Sequence, residues 1–106
     1  MPKFLIKASY TADGAKGLLK EGGTGRRAAV EQIIKGVGGR LEAFYFAYGE
    51  TDAFIITEVP DAAVGLAISL AVNASGAVHL STIPLITPEE MDSVAKKSIA
   101  YRAPGA

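Results

Sequence analysis

The chain contains no cysteine and no tryptophan, and a single histidine, in 106 residues. Without cysteine there can be no disulfide, no thiolate nucleophile and no cysteine-ligated metal. One histidine without cysteine cannot build an ordinary zinc site, although one histidine suffices as an axial ligand to haem iron. Neither sign of charge is in excess: lysine plus arginine number 11, and aspartate plus glutamate number 11. That balance supplies no electrostatic drive toward nucleic acid or an anionic membrane, and no basic aromatic stripe marks an RNA-binding sheet. No apolar run approaches the ~20 residues needed to span a bilayer. The apolar run at the N-terminus, in MPKFLIKASY, is too short for a signal peptide, so a cytoplasmic location is expected.

What is present is apolar. Hydrophobic residues make up 49% of the chain and charged residues 21%, the balance of a packed domain rather than a disordered one. The length suits one domain, expected over residues 1–100, with 101–106 as a flexible tail.

Residues 40–59, RLEAFYFAYGETDAFIITEV, read as two strands joined by a turn at Gly49-Glu50-Thr51-Asp52. Around this hairpin the pattern predicts further elements. Residues 3–10 alternate, with Phe4, Ile6, Ala8 and Tyr10 on one face and Leu5, Lys7 and Ser9 on the other. A short helical piece after Thr11 runs to about residue 20. Gly22-Gly23-Thr24-Gly25 breaks it, and Thr24 is expected to cap a second helix ending near Gly36. In that helix Val30, Ile33, Ile34 and Val37 form one apolar stripe.

Strand two, residues 40–48, divides into Leu41, Ala43, Tyr45, Ala47 and Glu42, Phe44, Phe46, Tyr48. Strand three, about 52–59, divides into Phe54, Ile56, Glu58 and Ala53, Ile55, Thr57, Val59. Asp61 caps a helix over about 62–73 that reads as buried. Residues 77–86 form strand four. Thr87-Pro88-Glu89-Glu90 opens a last helix, expected to run to about residue 100.

The order is βαββαβ plus a terminal helix. It predicts an α+β, ferredoxin-like fold with an antiparallel sheet and helices on one face. The strands are apolar on both faces, so the second face needs a cover of its own, and a second copy of the sheet is the simplest one. The expected assembly is a homodimer, or a multiple of it, forming a dimeric α/β barrel.

Gly38-Gly39-Arg40-Leu41-Glu42-Ala43-Phe44-Tyr45, Tyr48-Gly49-Glu50-Thr51-Asp52 and Ile55-Ile56-Thr57-Glu58-Val59-Pro60-Asp61 together resemble the GYD domain family of small bacterial proteins. The resemblance covers about residues 3–92. It implies a dimeric α/β barrel of unknown function, similar in architecture to stress-responsive barrel proteins, small haem or quinone monooxygenases and ligand-sensing domains of regulators. Thr51 stands where the family usually has tyrosine, and His79 and Ser81 where arginine and an acidic residue are expected.

The candidate chemistry lies on the face turned from the helices. Lys7 and Ser9 from strand one, Glu58 from strand three, and His79 and Ser81 from strand four would enter an apolar interior. There they could bind or polarise a small, partly apolar ligand. Lys7, Tyr45, Glu58 and His79 are the ligand-binding candidates. The plainer alternative pairs Lys7 with Glu58 as a structural ion pair.

No cofactor or metal is predicted. In an enzyme version, a monooxygenase or isomerase of the same barrel type, His79 would serve as haem ligand or general base. In a third version the protein is an assembly module without a ligand, its cavity filled by Phe44, Phe46 and Phe54. The Gly22–Arg27 segment could hold an anion at a helix start, or be a plain turn with solvated arginines.

Overall fold

A computed structural model describes all residues, 1–106. The elements are β1 (Lys3–Tyr10), α1 (Ala12–Glu21), α2 (Gly23–Gly36), β2 (Arg40–Phe46), β3 (Ala53–Glu58), α3 (Ala62–Ala74), β4 (Val78–Leu85) and α4 (Pro88–Ala95). The protein is thus mixed α+β: one open four-stranded sheet in the order β2-β3-β1-β4, antiparallel throughout, with four helices.

The alternation of β1 puts Phe4, Ile6 and Ala8 into the core. Their partners across β3, namely Thr57, Ile55 and Ala53, are equally buried. Ile34 of α2 closes this core from above. Thr57 is buried without cost because its hydroxyl donates to the Arg40 carbonyl at 2.9 Å.

Helix ends follow local chemistry. The Thr11 side chain accepts from the Gly14 amide, and Asp61 accepts from the Val64 amide. Thr87 and Glu90 form a full capping box. Thr24, however, does not cap α2. That helix starts two residues earlier, from Gly22 at φ 83°, with no side-chain cap. The α1–α2 break is therefore a glycine corner that only a residue at ease with positive φ can turn. The last helix ends at Ala95 rather than near residue 100.

Two further differences matter for the site. First, the β2–β3 register shifts between Leu41 and Ala43, so Glu42 is an extra, bulged residue. Leu41 pairs with Thr57 on the helix side, while Ala43 and Tyr45 pair with Ile56 and Phe54 on the open side. The bulge thus separates Leu41 from the face that simple alternation assigns it. Second, α3 is not a buried helix. It is apolar all round, and its outer residues Leu66 and Leu70 are 61% and 63% exposed.

Candidate functional site

The face of the sheet turned from the helices carries four ranks of side chains, set by strand register. The first rank, reading β2-β3-β1-β4, is Arg40, Glu58, Lys3 and Leu85. The second is Ala43, Ile56, Leu5 and Ile83, wholly apolar. The third is Tyr45, Phe54, Lys7 and Ser81. The fourth is Ser9 beside His79. Neighbours within a rank lie about 5 Å apart and diagonal neighbours about 7–8 Å apart.

The structure therefore brings Lys7, Ser9, His79 and Ser81 together in one corner, with Tyr45 and Phe54 beside them. Tyr45 is 71% exposed, and Phe54 and Ile83 also stand open. Nothing in the chain covers this face.

Glu58 does not join that corner. It lies at the opposite end, with Arg40 at 3.3 Å and Lys3 at 3.8 Å, while Lys3 also holds Glu42 at 2.9 Å. The expected Lys7–Glu58 pair is replaced by this four-membered ionic cluster, because Lys7 sits four residue pairs along, opposite Phe54. The hydrogen bond that Lys3 donates to Glu42, then the charges of Glu42 and Glu58, raise the Lys3 pKa above its ordinary value.

Nor do the three phenylalanines converge. Phe44 pairs with Ile55 on the helix side and meets Phe46 in a tilted contact with ring centroids 5.1 Å apart, whereas Phe54 is on the open face. Phe44 and Phe46 thus pack beneath the helices, and only Phe54 reaches the open side. No group of three histidine, aspartate or glutamate side chains is placed to hold a metal ion.

The turn between β2 and β3 is fastened onto β1. The Asp52 carboxylate accepts from the Tyr10 amide at 2.8 Å, the Asp52 amide donates to the Ala8 carbonyl, and the Ser9 hydroxyl donates to the Glu50 carbonyl at 2.8 Å. Gly49 turns the chain at φ 115°, a conformation that favours glycine strongly. This clasp sets the rim of the corner that holds Ser9 and His79.

On the helix side, a narrow apolar cavity of about 40 Å³ lies between sheet and helices, lined by Ile6, Ile34 and Val72 among others. Above it, an open trough of about 710 Å³ separates α2 from α3. Its single charged side chain is Arg26, which also reaches Glu21 at 3.7 Å and approaches Tyr10. Burial pushes the Tyr10 pKa up, with the Arg26 guanidinium pulling the other way. Arg26 therefore points inward to this end of the trough rather than lying solvated with Arg27. The sequence places Arg26 and Arg27 together at the same helix start, and only the fold separates their roles.

Fold and site together define a small sheet-and-helix domain with one covered and one uncovered apolar sheet face. The model of the GYD domain family matches residues 4–95, and the chain belongs to that family. Gly49 and Asp52, which build and fasten the turn, lie within the matched residues. No curated protein and no solved structure matches the chain. No helix is long and apolar enough to cross a membrane.

Proposed function

We propose that the protein is a small-molecule-binding or accessory protein acting as a homodimeric α/β barrel, in which two ferredoxin-like sheets meet through their open faces. The observation that carries this reading is the uncovered sheet face itself. Its second rank is aliphatic, all its charges but Lys7 gather at one end in a self-neutralising cluster, and its aromatic rings stand free.

A soluble monomer seldom leaves so contiguous an apolar patch in water. Pairing with an identical face buries it and keeps both ionic clusters compensated. The interior so formed would be apolar, with Lys7, Tyr45, His79 and Ser81 supplying the few polar contacts that orient a ligand. A small, partly apolar molecule bearing a carbonyl, phenol or acid group suits that lining. Glu58 remains in the ionic cluster and takes no part in this binding. A cytoplasmic setting goes with the proposal.

The test is an Ile56→Glu variant, which places a charge in the aliphatic rank. Light scattering at micromolar concentration should show wild-type dimer and variant monomer, with unchanged secondary structure by circular dichroism. His79→Ala and Lys7→Ala should weaken capture of a co-purifying small molecule while leaving the dimer intact. A wild type that is strictly monomeric sinks the proposal.

A further inference from the structure

Helix α4 has no place in its own chain. It packs on none of the other elements beyond its first residues, which border an open hollow with Met1, Pro2 and Ala62. Met91 and Val94, on one side of the helix, are 51% and 48% exposed. The molecule measures 55 × 34 × 23 Å, and its radius of gyration is 16.7 Å, against about 13 Å for a compact chain of this length. An eight-residue helix is far too short to persist alone in water, since isolated helices below about 12–15 residues are marginal. Yet α4 carries a complete capping box. Such a helix needs a surface to lie on.

We propose that α4 is an arm that seats in the trough between α2 and α3 of another copy of the chain. The trough is apolar where α4 is apolar. Ile33 and Val37 form one wall, Ala67 and Ala71 the other, and Ile68 and Val72 lie at its base. The alanines allow a helix to approach closely. From Arg26 to Val37 the trough runs about 16 Å, and α4 is about 12 Å long at 1.5 Å per residue.

Charge sets the direction. Glu89, Glu90 and Asp92 crowd the start of α4, and Lys96 and Lys97 follow its end. Arg26 marks one end of the trough, beside Ser75 and Val78. Asp61, which caps the start of α3, lies at the other end with the carbonyl terminus of α2. The arm therefore lies antiparallel to α3, acids at Arg26 and lysines at Asp61.

Its own trough is denied to it. β4 is an edge strand packed beneath α3, so the trough lies beyond α3, and only Ile86 and Thr87 link β4 to α4. Starting from the Asp61 end, a folded-back arm would also set acid against acid.

Area points the same way. Four strands ~4.8 Å apart, each about seven residues at ~3.3 Å, present roughly 450 Å² in projection. Side-chain relief brings that toward, not beyond, the ~800 Å² per partner of a standard interface. An exchanged arm adds apolar area. The proposal uses different surfaces from the sheet-face dimer and stands or falls separately.

The absence of native cysteine makes the test direct. One preparation carries Met91→Cys, a second Ala71→Cys and a third Leu19→Cys, the last an exposed position on α1 outside the trough. After mixing under mild oxidation, Met91→Cys should cross-link to Ala71→Cys at least ~10-fold faster than to Leu19→Cys, because docking raises the local thiol concentration to the millimolar range. Equal rates overturn the proposal, as they would if the trough held a small molecule instead. So does a chain carrying both Met91→Cys and Ala71→Cys that closes only on itself. Loss of the cross-link while light scattering still shows a dimer counts against the arm alone. A cross-link that persists between Met91→Cys and Ala71→Cys chains that both also carry Ile56→Glu, with the dimer intact, counts against the sheet-face reading alone.

Discussion

Asp52 and Gly49 show how a short turn can be architectural. The Asp52 carboxylate receives the Tyr10 amide where β1 ends, and without it that part-buried donor loses its partner. Asp52→Ala should therefore cost about 1–3 kcal/mol in urea unfolding, the usual penalty for an orphaned, charge-assisted bond. Tyr10 itself predicts a pH dependence. Burial raises its pKa above 10.0, so the folded state holds the phenolic proton more tightly than the unfolded state. The resulting stability is complete below the ordinary tyrosine value and is lost as pH rises through the raised folded value. The raised Lys3 pKa acts in the same direction at similarly high pH. Tyr10→Phe should leave neutral stability nearly unchanged and make the alkaline loss shallower. An equally steep loss above pH 10 in the variant would show that Tyr10 is not its source.

At the scale of elements, the sheet and helices were legible from alternation and caps, and the failures have physical reasons. The faces of β1, β3 and β4 follow period two without interruption. β2 also alternates cleanly in sequence, yet Glu42 bulges, because the register of a strand against its neighbour is settled by pairing that the linear pattern does not contain. The partner of Glu58 was hidden for the same reason: Arg40 and Lys3 meet it only through register. α3 was misread because an all-apolar helix does not reveal which side faces water. Close packing between elements gives a further prediction. A Cβ on Gly14 of α1 would lie 1.9 Å from the Ala77 carbonyl oxygen, whereas one on Gly65 of α3 would meet the Phe4 ring at 3.1 Å. Backbone cannot yield as a ring can. Gly14→Ala should thus be the costlier change, at or above the ~3 kcal/mol end of overpacking penalties, with Gly65→Ala nearer ~1 kcal/mol in thermal unfolding.

For the whole molecule, three apolar surfaces lie open: the sheet face, the α2/α3 trough and the arm. The candidate corner was half legible. Alternation placed Lys7, Ser9, His79 and Ser81 on one face, while the separation of Glu58 from them needed the fold. As proposed, the chain would meet its own copy in two ways, through the sheet and through the arm, and the sheet-face pairing is the claim on which the proposed ligand site depends. Native mass spectrometry of gently purified wild-type protein tests it most directly, at low micromolar concentration and beside the Ile56→Glu variant. The account predicts a wild-type dimer, with any retained small molecule carried by the dimer and absent from the variant. A wild type that flies only as a monomer, or a small molecule held equally by wild type and variant, would contradict it.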